Sequence, residues 1–146
     1  MATDAFKAKP NRDGWATGPL ANLQPCPPFP AFTDFERTAL DQIAAIFGPN
    51  QTAFRAQIAA SRVTDRINTV VGFYTRVAVD KSACQPMEIH GKAATFEVDG
   101  IAHGMGVILW AKEGYLDTIE GYTFEHDPLK GIDLSDLRFS KLVELG

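Results

Sequence analysis

The chain has 146 residues, 45% of them hydrophobic and 22% charged, which fits one globular domain and excludes fibrous and wholly disordered classes. Its net charge of −4, with no Lys/Arg cluster to offset it, removes the attraction that general nucleic-acid binding needs. The longest apolar run, Val107 to Trp110, is far short of the roughly 20 residues of a membrane span, and no secretory h-region opens the chain, so a cytoplasmic protein without membrane or nucleic-acid partners is expected.

Residues 1–32 form a proline-rich arm, in which Pro25, Pro27, Pro28 and Pro30 surround Cys26 and Phe29 in an extended stretch. The arm also carries Trp15, Leu20, Leu23, Phe29 and Phe32, more apolar surface than a solvated tail needs, so it is expected to dock. Cys26 and Cys84 have no CxxC or Cys/His spacing and are expected as free thiols.

The folded domain is expected over residues 33–146. Thr33 and Glu36 have the spacing of a capping box, and Leu40, Ile43 and Phe47 follow at helical intervals before Gly48-Pro49, giving a helix over about 34–47. Asn50 then caps a second helix to about Ser61, with Phe54 and Ile58 on one face. From Thr69 the period changes to two, and Val71, Phe73, Val77 and Val79 alternate with Gly72, Tyr74, Arg76 and Ala78 in a strand over about 69–79. Asp99-Gly100 between apolar runs predicts a hairpin of strands 92–98 and 101–111, and Lys112-Glu113-Gly114 a loop into a strand from Tyr115 to about Phe124. Residues 132–145 are compatible with a short helix, a fifth strand or both. The fold class is α+β, with two N-terminal helices on one face of an antiparallel sheet of four or five strands.

Pairing Val98 with Ile101 sets Phe96 opposite His103, and pairing Ala111 with Tyr115 sets Val107 opposite Ile119 and Gly106 opposite Glu120. One face then gathers Phe73, Val77, Phe96, Val98, Ile101, Met105, Val107, Leu109 and Ile119 as the core beneath the helices. The other has a floor of Ala93, Ala102, Gly104 and Gly106 bordered by Tyr74, Arg76, Glu97, Trp110, Glu120 and Tyr122, with Ile108, Leu116 and Phe124 also on it. Strand glycines mark a bulge or a close approach. Either Tyr122 lies across Gly104, or a ligand, the arm or a second subunit comes against the backbone.

Candidate chemistry is sparse. His103 is expected on the helix-covered face beside Phe96 as a structural histidine. Glu88, His90 and His126 do not make a metal motif, and no metal or cofactor is expected. Glu97 and Glu120 share a face but lie roughly 16 Å apart, too far for a paired-carboxylate mechanism. No nucleophile elbow, P-loop or dinucleotide fingerprint is present.

The run Gly106-Val107-Ile108-Leu109-Trp110, with Glu113-Gly114-Tyr115-Leu116, Ile119-Glu120-Gly121-Tyr122-Thr123 and Val71-Gly72-Phe73-Tyr74-Thr75, resembles a group of uncharacterised small bacterial proteins. The resemblance covers about residues 34–127. It implies this fold and a bacterial setting, and it brings no activity or catalytic residue with it. The expected function is therefore a non-enzymatic binding or protein-interaction module. It would use the face of Tyr74, Arg76, Gly104, Gly106, Trp110, Glu120 and Tyr122, with a homodimer mate or another protein as partner. The alternative is an enzyme or small-molecule receptor with its site on the same face.

Overall fold

A computed structural model describes residues 25–89, 91–129 and 132–141. Helix α1 (Asp34–Ala44) starts at the capping box: Thr33 Oγ1 accepts from the Glu36 amide at 3.0 Å, and Glu36 Oε1 accepts from the Thr33 amide at 2.9 Å. The expected continuation to residue 47 tightens instead into a 3-10 segment, Ala45–Asn50, that breaks at Gly48. Helix α2 (Gln51–Ala59) follows, without a side-chain cap from Asn50.

The strands are β1 (Ser61–Asn68), β2 (Gly72–Val79), β3 (Ala93–Val98), β4 (Ile101–Lys112), β5 (Tyr115–Thr123) and β6 (Phe139–Lys141). They form one fully antiparallel sheet of six strands in the order β1-β2-β5-β4-β3-β6. Six strands replace the expected four or five. The addition at one end is β1, whose polar sequence and bulge between Val63 and Asp65 hide the two-residue alternation.

Both expected registers shift by two residues. Val98 does pair with Ile101, but Phe96 pairs with Met105, so Glu97 alone faces the three residues Ala102, His103 and Gly104. Gly104 makes this bulge possible: its φ is +79°, and a Cβ there would lie 2.6 Å from the Phe96 carbonyl oxygen. In the next hairpin Glu113-Gly114 is a two-residue turn with both φ values positive, Lys112 pairs with Tyr115, and a second irregularity at Asp117 sets Leu109 opposite Ile119. Away from the two irregularities a shift of two keeps each side chain on its face, so most of the core assembles as expected.

Phe35 of α1 packs edge-on to Phe73 and Phe139 and tilted on Phe96, and the core beneath the helices includes Ile43, Phe54, Val77, Met105, Val107, Leu109 and Ile119. Leu116, expected on the opposite face, joins this core because the Asp117 irregularity turns it over. The fully buried Gln57 side chain on α2 donates to the carbonyls of Gln85 and Gly114 and accepts from the Leu116 amide, which ties the β2–β3 connection to the β4–β5 hairpin.

One charged cluster lies inside this core. Arg66 of β1 is fully buried and presents its guanidinium to the Glu36 carboxylate through Nε at 2.8 Å and Nη2 at 2.7 Å. Thr75 donates to the same carboxylate. The remaining Arg66 donors reach the carbonyls of Cys26 and Pro28 at 2.9 and 2.7 Å, and of Ala31 at 3.4 Å. All five guanidinium N–H groups are thereby used, the condition under which a buried arginine is tolerable. The outcome is an arm root fastened to the sheet. The Cys26 amide donates to the Arg66 carbonyl, the Val63 amide donates to Pro30, and Pro25 bridges Ile67 along the free edge of β1. Cys26 and Cys84 are not joined by a disulfide. The docking expected of residues 1–24 lies outside the described residues.

Candidate functional site

The sheet face turned away from the helices is built in three transverse rows, fixed by the register. Asp65, Arg76, Thr118 and Trp110 form the first; Ile67, Tyr74, Glu120, Ile108 and Ala93 the second; Gly72, Tyr122, Gly106 and Thr95 the third. All five expected site residues other than the two glycines therefore come together: Tyr74, Arg76, Trp110, Glu120 and Tyr122. Gly106 sits with them in the third row, beneath the Tyr122 ring; a Cβ on Gly106 would lie 2.4 Å from Tyr122 Cζ. The tyrosine lies across a strand glycine, as one expectation had it, but across Gly106 and not Gly104, because the register moved by two. Gly104 is in the bulge with Ala102, at the margin of the face and not on its floor.

Glu120 is the centre of the face. Trp110 Nε1 donates to its Oε1 at 2.8 Å, Tyr74 is its direct neighbour on β2, and Tyr122 stands two residues further along β5. Burial raises the Glu120 carboxyl above its ordinary value, and the Trp110 bond offsets part of that rise by favouring the anion. The Tyr74 and Tyr122 phenols are both raised, first by burial and then by the adjacent Glu120. Phe124 packs edge-on against Tyr122 with ring centroids 5.5 Å apart. The face therefore offers an apolar surface with one central carboxyl and two phenols held in their neutral form. Glu97 stays apart: with Glu120 opposite Ile108 and Ile108 opposite Ala93, it is four residues along and two strands over.

Part of this face is as buried as the core, while Ile108, Trp110 and Tyr122 are half-buried. Tyr74 and Thr118 are 0% exposed, Ile67 5%, Arg76 6% and Glu120 8%, although α1 packs on the opposite side. Sequence reasoning missed Asp65, Ile67 and Thr118. The β-branched Val63, Thr64 and Ile67, directly after a helix stop, were the signal for the strand that carries the first two.

His103 is a correction. It is expected among the core residues, yet the bulge turns it outward, where its side chain is 56% exposed. Its amide donates to Asp127 Oδ2 at 2.8 Å, and its Nδ1 lies 3.0 Å from the same oxygen. Asp127 is delivered by a tight turn in which Glu125 and His126 both have positive φ. A cavity of about 380 Å3 adjoins the pair, lined by Glu97, Asp99, Ile101, Ala102, Gly104 and Ser140 among others. His90 lies outside the described residues, and among those described no three His, Cys, Asp or Glu side chains converge on a possible metal position. Among the described residues no helix is long and apolar enough to cross a membrane.

No family model matches the chain, and neither do any of the curated proteins or solved structures with which it was compared.

Proposed function

We infer that the chain is a binding module whose second sheet face receives an extended, apolar segment of polypeptide. The observation that carries this reading is the burial of Tyr74, Thr118, Ile67, Arg76 and Glu120 on the side opposite the helices. A sheet covered on both faces is apolar on both, and β4 is so built: Val107 and Leu109 point to the helices while Ile108 and Trp110 point away. The burial is that of a single chain, so a second copy in a homodimer or another protein would take the same face by displacing the residues that cover it. Tyr74, Tyr122 and Trp110 give it large contact area at little entropic cost.

A second reading is favoured by one group. Glu120, with its carboxyl raised by burial and oriented by Trp110, is a protonatable acid suited to a small polar ligand or to proton transfer. The experiment that separates the two uses the full chain in a thermal-shift screen of metabolites and metals, beside selection from a displayed-peptide library. The first reading expects aromatic-rich extended peptides whose affinity falls at least tenfold in Ile108→Glu, and no metabolite shift. A metabolite that raises the melting temperature in wild type and not in Glu120→Gln overturns it in favour of the second, because a ligand of the native state raises apparent stability.

A further inference from the structure

We propose that the occupant of the second face is the chain's own N-terminal arm, residues 1–24, bound in cis as a built-in ligand. The proposal rests on the reading of that face as a receptor for an extended segment. Three observations carry it.

The first is where the described chain begins. Pro25 bridges Ile67, and Ile67 heads the transverse row that continues through Tyr74, Glu120, Ile108 and Ala93. The preceding residues thus start at the rim of the covered face, at the end of its most apolar row. The second is the length of chain left over. Crossing from the arm's position outside β1 to β4 takes four strand spacings, about 19 Å at about 4.8 Å each, or about six extended residues at about 3.3 Å. Twenty-four residues precede Pro25, and within the reach of such a crossing stand Leu23 and Leu20, with Trp15 beyond them. The five residues after β6, by contrast, start at the opposite edge of the sheet, beyond β3.

The third is the anchor. Arg66 holds the carbonyls of Cys26 and Pro28, and the Cys26 and Pro30 backbones bond β1. A segment whose C-terminal root is fixed to its own sheet edge at Cys26 meets its own face at an effective concentration that a second copy cannot match at ordinary protein concentrations. Any competing extended partner must displace it, so the arm sets the threshold for binding at this face.

The test is photo-crosslinking of the full chain with Leu20→p-benzoylphenylalanine, mapped by mass spectrometry, together with hydrogen exchange at the Trp110 indole. The expected result is crosslinks confined to the monomer band and ending on second-face residues such as Ile108 and Tyr122. Crosslinks in a dimer band overturn the cis assignment and make the occupant a second copy's arm. Crosslinks to α1 or α2, or none at all, while the Trp110 indole stays protected, overturn the arm as occupant and leave the face reading standing. A freely exchanging Trp110 indole sinks both. A second variant, Leu20→Ala and Leu23→Ala together, is expected to speed indole exchange at least tenfold while the α1 amides exchange unchanged; unaltered indole exchange counts against the arm.

Discussion

Replacing Arg66 by Met is the sharpest perturbation of this fold. The methionine fills much of the space of the arginine stem but leaves the Glu36 carboxylate, 1% exposed, with only the Thr33 amide and the Thr75 hydroxyl as donors. Breaking a buried ion pair from one side costs about 3–5 kcal/mol. The carbonyls of Cys26 and Pro28 also lose their donor, although both residues are partly exposed and water recovers some of that loss. A destabilisation of at least about 3 kcal/mol is expected, a large share of the roughly 5–15 kcal/mol that holds a domain folded. Adding Glu36→Gln removes the stranded charge and keeps an oxygen for the Thr33 amide, so the double variant is expected to be more stable than Arg66→Met alone. Urea titrations read by linear extrapolation, with unchanged slope, measure both effects. A loss below about 1 kcal/mol for the single variant, or no recovery in the double, would refute the reasoning that the pair is a desolvated unit.

Glu120 predicts a pH dependence. A carboxyl raised in the folded state gives stability that is fully present below its ordinary value near 4.5 and lost as pH rises through the raised value. The wild-type melting temperature is expected to fall relative to Glu120→Gln as pH rises from 4.5 to neutrality; parallel curves argue against it. Gly106→Ala sets a Cβ against the far end of Tyr122, whose ring also packs on Phe124, so the expected cost is about 1–3 kcal/mol, relieved when Tyr122→Ala is added. His103→Gln is expected to change stability by less than about 1 kcal/mol, because its pairing with Asp127 is a surface one; a larger loss in thermal or urea unfolding restores a structural role.

What the sequence made legible follows from the parity of its errors. The capping box at Thr33 and Glu36, the Asp99-Gly100 turn and the alternation of β2 are local signals, and each led to the element observed. The bulge at His103-Gly104 is signalled only by its strand glycine, and the irregularity at Asp117 leaves no local signal. They moved Phe96 from His103 to Met105 and Ile119 from Val107 to Leu109, both steps of two, so the faces survived while the partners changed. Only residues inside the irregularities, His103 and Gly104, or beyond one, Leu116, changed environment. Strand β1 was hidden for a different reason. Its one fully buried side chain is Arg66, and nothing in a lone sequence reveals that a glutamate thirty residues earlier completes it.

Glu36 is asked to serve two masters: it closes the first turn of α1 and it neutralises a strand on the far side of the core. The end of the helix therefore cannot fray as an isolated local event, since releasing the carboxylate also strands Arg66 and frees the carbonyls that hold the arm. Helix start, edge strand and arm root belong to one foldon, opening and closing together, and their amide protons should exchange with a common rate and a common response to denaturant. A chain built this way is expected to have no partly undocked state in which residues 26–31 leave the edge of β1 while the first turn of α1 stays intact.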